Sequence, residues 1–243
     1  MPALALALVL PVAACGSDGS AGEPTRLTVL AAASLTDVFE QLATPFEEEH
    51  DADVTFSFGS STDLAEQVAD GAPGDVLATA DATSMGLAED AGVTGEVETF
   101  ATNVLTIVVP QGNPGGVESL DDLADATWVR CADEVPCGKV AVAVLDAGGV
   151  TAEPASLEED VRAALDKVVS GEADAGLVYA TDAVAAADEV DAVEIPGAEE
   201  QPTSYYATTL EQASDADLAA DWVAWVTSEE GRAILADAGF GRP

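Results

Sequence analysis

Apolar runs of strand length alternate with helix-length segments from residue 27 onward, and that alternation restricts the chain to a narrow set of folds. Residues 27–33 (LTVLAAA), 53–58 (DVTFSF), 75–79 (DVLAT), 104–109 (VLTIVV), 127–131 (TWVRC), 175–179 (AGLVY) and 190–195 (VDAVEI) read as strands. Helices are predicted over 35–49, 62–70, from 81, over 119–124, from 137, and over 157–170, 181–187 and 215–238. Pro45 is expected to kink or divide the first helix, Gly71 to stop the second and Gly231 to interrupt the last; Ser34 and Ser214 are the expected N-caps. Residues 205–210 read as extended. Strands followed by helices at this spacing indicate an α/β fold with mainly parallel sheets flanked by helices.

The charge balance narrows the function classes. Among 243 residues, 46 are Asp or Glu and 7 are Lys or Arg, a formal net charge of −39. Apolar residues make up 48%, enough for real cores in one large domain or two lobes, so this is no disordered acidic tail. Two lysines (Lys139, Lys167) and five arginines form no basic cluster. A surface this negative repels phosphate backbones, which argues against any nucleic-acid partner. The lone histidine, His50, closes the acidic run EEEH and reads as a solvated helix end, so histidine-based catalysis and His-rich metal sites are poor candidates.

Residues 1–14 (MPALALALVLPVAA) are uncharged and too short for a bilayer span, which needs about 20 residues. They have the length of a secretory h-region. The run VAAC at 12–15 resembles the bacterial lipobox, in which the signal is cut and the cysteine, here Cys15, takes the lipid. No Lys or Arg precedes the apolar run, a departure from that pattern, and an ordinary signal peptide with an incidental cysteine is the alternative. Residues 15–25 read as a flexible tether. Export puts the remaining cysteines, Cys131 and Cys137, in an oxidising compartment, where a disulfide closing their short loop is the favoured reading. A metal site there would need further ligands, and the sequence offers neither a second Cys pair nor a nearby His.

Three strand-to-helix junctions are rich in small residues and hydroxyls: AAAS at 31–34, GSST at 59–62 and VPCG at 135–138. In open α/β sheets ligands sit beyond the carboxyl ends of the strands. The first N–H groups of a helix lack internal partners and carry the positive end of its dipole, and a serine adds a donor without a full charge. Such junctions suit an oxyanion, although a serine ahead of a helix is also ordinary capping.

Six segments together carry a family resemblance: LAAASLTDVF (30–39), FGSSTDLAEQV (58–68), GAPGDVLATAD (71–81), CADEVPCGK (131–139), EDVRAALDKVVSGEADAGLVYATDA (159–183) and the closing GF (239–240). In this order, from about residue 27 to 240, the chain resembles the periplasmic molybdate-binding proteins of ABC importers. The resemblance implies a two-lobed binding protein of the type II class, with residues 26–103 and 207–243 in one lobe and 104–206 in the other. Family binding positions fall on Ser34, Ser61, Cys137, Val161 and Tyr179, with Cys137 and Val161 acting only through their N–H groups. Position 137 is often alanine in the family, so Cys137 departs in side chain and not in the backbone chemistry required. A Cys131–Cys137 disulfide would stiffen that loop.

The ligand so implied is molybdate, with tungstate a near equal in size; molybdenum enters only inside the oxyanion, without a direct protein ligand, and no cofactor is expected. The implied partner is a membrane ABC permease, served by a monomer exported to the cell surface or periplasm and lipid-anchored to the outer face of the cytoplasmic membrane. Sulfate, thiosulfate or phosphate is the alternative ligand on the same fold. An enzyme is not expected, because neither Ser34 nor Ser61 has an activating base in sequence reach and no Ser-x-x-Lys pattern occurs.

Overall fold

The computed structural model describes residues 24–243. The expected signal peptide over residues 1–14, the lipid-bearing Cys15 and the tether up to residue 23 lie outside the described residues. Thr25, assigned to the tether by sequence, already pairs with Ala52 in a strand.

The first half of the chain alternates strand and helix: β1 (Thr25–Ala32), α1 (Thr36–His50), β2 (Ala52–Gly59), α2 (Ser61–Ala69), β3 (Val76–Thr79), α3 (Ala82–Asp90) and β4 (Thr94–Asn103). The chain then crosses into a second lobe made of β5 (Leu105–Pro110), β6 (Trp128–Cys131), α4 (Pro136–Gly148), β7 (Ser156–Glu158), α5 (Val161–Val169), β8 (Ala175–Tyr179), α6 (Ala180–Ala185) and β9 (Val190–Val193). It returns through β10 (Thr203–Leu210) and ends in α7 (Ala216–Thr227) and α8 (Glu229–Asp237). Among the described residues no helix is long and apolar enough to cross a membrane.

Each lobe holds a five-stranded sheet, ordered β2-β1-β3-β10-β4 in the first and β7-β6-β8-β5-β9 in the second. The sheets are mixed, because the first strand after each crossing, β5 in one direction and β10 in the other, runs against the rest. β10 is antiparallel to β3 and β4, and β5 is antiparallel to β8 and β9. The pairings among β1, β2 and β3, and among β6, β7 and β8, are parallel. Central β1 is buried from Val29 to Ala32, as a parallel strand covered on both faces must be, while edge strand β2 alternates exposed Asp53, Thr55 and Ser57 with half-buried apolar residues.

Several local expectations change for physical reasons. Pro45 does not divide α1: the carbonyl it leaves unpaired belongs to exposed Gln41, and in the next position Leu42 offers its carbonyl to Trp225 Nε1 at 3.0 Å. The helix expected over 157–170 starts at Val161, since residues 156–158 pair with β6 and Asp160 caps the helix by accepting from the amides of Arg162 (2.9 Å) and Ala163 (3.0 Å). The C-terminal helix breaks at Ser228 rather than at Gly231. Gly231 lies inside α8, where a Cβ would fall 2.3 Å from the Trp225 carbonyl oxygen. Asp215, not Ser214, caps α7. β4 was not read from sequence at all. The return crossing also comes earlier than residue 207: Thr203, Ser204 and Tyr205 already pair with Asn103, Thr102 and Ala101, so these residues belong to the first lobe's sheet.

Candidate functional site

The carboxyl ends of β1, β2, β6, β7 and β8 face one another across the cleft between the sheets. A small cavity lies there, with about 20 Å³ for the centre of a water-sized sphere. Ala32, Ala33, Ser34, Gly59, Ser60, Ser61 and Ala80 line it from the first lobe, and Val135, Pro136, Cys137, Asp160, Val161 and Tyr179 from the second. All five residues singled out from sequence, Ser34, Ser61, Cys137, Val161 and Tyr179, are brought together here, and all are buried.

Each contributes a polar group in a different way. Ser34 is not a helix cap; it sits within the 3-10 turn Ala33–Leu35, and its Oγ lies 2.8 Å from Tyr205 Oη. Ser61, first residue of α2, accepts from the Ala80 amide at 3.0 Å, which leaves its own proton free to point elsewhere. Cys137 and Val161 occupy the first turns of α4 and α5, where a helix has no acceptor for their amides. The Asp160 cap engages the two amides after Val161 and leaves that of Val161 itself. Tyr179 ends β8 fully buried, and the hydroxyl beside its own, that of Thr203, gives its proton to the Ala80 carbonyl. Burial pushes that phenol well above its usual range, so it remains a proton donor.

The approach of α4 to the loop before it is set by two features. A disulfide joins Cys131 to Cys137 across the loop. Gly138 follows, and a Cβ there would fall 1.7 Å from the Ala132 carbonyl oxygen, so only glycine lets the helix start so close to β6.

The lobes meet around the cavity through paired groups. Lys139 Nζ reaches Asp81 Oδ2 at 2.7 Å, Thr62 Oγ1 donates to the Glu134 carbonyl at 3.1 Å, and the Arg162 guanidinium meets Asp37. Arg162 also lies 3.3 Å from Asp182, which is completely buried. Desolvation raises the Asp182 pKa to about 7, with Arg162 and the Tyr179 amide opposing the rise. The two cations near the cleft are therefore engaged by carboxylates, and no lysine or arginine lines the cavity among the described residues. No cluster of His, Cys, Asp and Glu suited to a metal ion occurs among them either. What the arrangement offers a guest is a set of uncharged donors from both lobes.

Sequence reasoning missed the polar groups behind this lining. Tyr205, Asn103, Thr181, Thr203 and Asp182 are buried beside it, and Asn103 Nδ2 donates to Thr181 Oγ1 (2.8 Å) and Tyr205 Oη (3.3 Å). The one available signal was period two in TSYYATTL, which places Thr203, Tyr205 and Ala207 on a common face.

Two lobes joined by two crossing strands, with helix starts converging on a cleft, define a solute-binding protein architecture. Residues 27–241 match the bacterial extracellular solute-binding protein family, and the chain belongs to it. It is 38% identical over 247 residues to "Molybdate-binding protein ModA" of Mycobacterium tuberculosis, a match covering 97% of this chain and 95% of that one. The periplasmic molybdate-binding protein of Azotobacter vinelandii superposes with a TM-score of 0.79 at 24% identity, over 89% of this chain and 99% of that one. The sulfate-binding protein SubI of M. tuberculosis superposes with a TM-score of 0.77 at 21% identity, over 89% of this chain and 86% of that one. The family is one of binding proteins and not of enzymes.

Proposed function

We propose that this protein is the molybdate-capturing component of an ABC importer, and that tungstate binds at the same place. The donors are the hydroxyls of Ser34, Ser61 and Tyr179 and the amides of Cys137 and Val161. The observation that carries the reading is the convergence of Ser34 and Ser61 from one lobe with the α4 and α5 helix starts and the buried Tyr179 hydroxyl from the other on one cavity, lined also by the helix-capping Asp160. A buried hydroxyl or amide left unpaired costs about 1–3 kcal/mol, and an oxyanion in the cavity supplies an acceptor to several such groups at once.

The energetics favour such a cage. A desolvated charge loses several kcal/mol of hydration even after relaxation. Hydrogen bonds to a charged group return roughly 1.5–3 kcal/mol each, so five oriented donors suffice for tight binding. Neutral donors also suit release, since no unpaired cation stays behind when the anion leaves for the permease. The Asp37–Arg162 and Asp81–Lys139 bridges belong to the closed arrangement, and opening the cleft separates them. Export through residues 1–14 and a lipid on Cys15 would keep the protein beside that permease.

Calorimetry with molybdate, tungstate, sulfate and phosphate tests the reading. Molybdate and tungstate are expected to bind tightly and sulfate and phosphate weakly or not at all. Absence of molybdate binding overturns the proposal, and sulfate binding more tightly than molybdate would replace it with the sulfate reading.

A further inference from the structure

The donor character of Ser34 is not intrinsic, because a serine hydroxyl accepts as readily as it donates. We propose that Tyr205 and Asn103 are specificity-determining positioning residues, which hold the Ser34 hydroxyl as a donor to the cavity and thereby discriminate fully deprotonated tetrahedral oxyanions from protonated ones. The inference deepens the function proposed above and rests on it.

The direction of the relay follows from one fixed end. Asn103, buried at the end of β4, accepts from the Val104 amide through Oδ1 at 2.9 Å. That bond identifies the oxygen side of the amide, so Nδ2 is the group facing Thr181 Oγ1 and Tyr205 Oη. An amide NH2 only donates. Tyr205 Oη therefore accepts from Asn103, and Ser34 Oγ, 2.8 Å away, is the one acceptor its own proton meets among the described residues, which directs that proton to Ser34. With that lone pair occupied, the Ser34 proton turns toward the cavity that Ser34 lines. Burial holds the Tyr205 phenol above its ordinary range, so the proton stays on the relay.

Ser61 reaches the same polarity by another route, accepting from the Ala80 main-chain amide. One serine is polarised by backbone and the other by side chains, so only the Ser34 arm can be reset by substitution. A guest carrying an O–H finds no acceptor at either serine arm; the one carboxylate in the lining, Asp160, is engaged through Oδ1 by the amides of Arg162 and Ala163. If Ser34 were free to turn its lone pair inward, the same guest would gain an acceptor.

The test compares molybdate with hydrogen phosphate at one pH, by calorimetry and by displacement of molybdate, on the full chain. Tyr205→Phe is expected to weaken molybdate about tenfold. Hydrogen phosphate should hold or gain affinity, so the molybdate-to-phosphate ratio falls tenfold or more. Adding Tyr205→Phe to Ser34→Ala should change neither affinity further, because the tyrosine acts through that serine. Asn103→Ala, an independent variant should Tyr205→Phe fold poorly, should lower the same ratio by a smaller factor. Equal weakening of both anions by Tyr205→Phe, an unchanged ratio, or independent multiplication of the Tyr205→Phe and Ser34→Ala effects overturns the relay. A wild-type protein that binds no oxyanion overturns the function itself, whereas one that binds molybdate with its ratio insensitive to Tyr205→Phe overturns only the relay.

Discussion

The two lobes offer the cavity donors of different kinds. The first lobe presents side-chain hydroxyls, Ser34 and Ser61, each held by a hydrogen bond from behind. The second presents main-chain amides at the starts of α4 and α5, positioned by a disulfide, by Gly138 and by the Asp160 cap, together with the Tyr179 hydroxyl. A side-chain donor disappears on substitution by alanine and leaves the fold in place. A backbone donor survives every substitution except proline. The second lobe's amides therefore tolerate Cys and Val as side chains, while the first lobe's chemistry depends on residue identity.

Proline at position 161 is the strongest way to break this contrast. Val161 is the first residue of α5, where proline is tolerated, and Asp160 before it is extended (φ −153°, ψ 177°), the conformation that a residue preceding proline prefers. Val161→Pro should keep the helix yet remove a charge-assisted donor worth about 1.5–3 kcal/mol, with ring carbon in place of the proton. Molybdate affinity is expected to fall about tenfold to a hundredfold from the lost donor, and further from the ring carbon placed against the anion, in calorimetry. Val161→Ala, which keeps the amide, should leave affinity within a few-fold. Equal losses for the two variants would mean that the side chain, and not the amide, matters.

Alanine substitutions sharpen the first lobe's side of the comparison. Ser34→Ala and Ser61→Ala should each cost about 1–3 kcal/mol of binding, roughly tenfold to a hundredfold. Their effects on the unliganded protein differ in origin. Ser61→Ala strips a buried backbone amide, that of Ala80, of its acceptor, whereas Ser34→Ala removes a partner from the Tyr205 hydroxyl, which keeps its bond from Asn103. Thermal unfolding should accordingly show the larger loss for Ser61→Ala.

The same contrast explains what was legible in the sequence. Junctions such as FGSSTD and VPCG are local, and the chemistry of a helix start needs only neighbouring residues, so three oxyanion-suited junctions are legible directly, whereas Val161 and Tyr179, and the choice of Ser34, Ser61 and Cys137 within the junctions, come only through the family resemblance. Tyr205 and Asn103 come through neither, because the bond to Ser34 spans 171 residues and that to Asn103 spans 102. Their partnership exists only because β10 inserts between β3 and β4, a pairing that no local pattern encodes. Residues 157 and 158 read as helix for a related reason. Leu157 is half exposed on an edge strand, and only the position of β6 makes those residues extended.

Asp182, a completely buried carboxylate of the second lobe, adds a pH dependence of about 1 kcal/mol per pH unit. Burial raises its pKa to about 7, well above the ordinary carboxylate range near 4. Between those values the folded protein holds a proton that the unfolded chain lacks, so stability falls as pH rises through this window and improves on acidification from pH 7.5 toward 5. Asp182→Asn should flatten that part of a stability profile measured by denaturant unfolding. An unchanged slope would assign the pH dependence to the acidic surface as a whole.

The smallest effect concerns how an anion reaches donors that carry no charge. At a net charge of −39, with Asp160 in the cavity lining and Asp37 and Asp81 at the ion pairs between the lobes, the long-range field opposes entry of a dianion. Inert salt shortens the Debye length from roughly 30 Å at 0.01 M to about 8 Å at 0.15 M and so weakens that repulsion. The buried donors lie beyond the reach of such screening, so association should quicken a few-fold with added chloride while dissociation stays nearly constant. Stopped-flow traces in a chloride series read both rates directly. Association that slows with salt would reveal cationic steering, with Lys139 or Arg162 released from its carboxylate in the open form, and the division into side-chain and backbone donors would then need a charged third member.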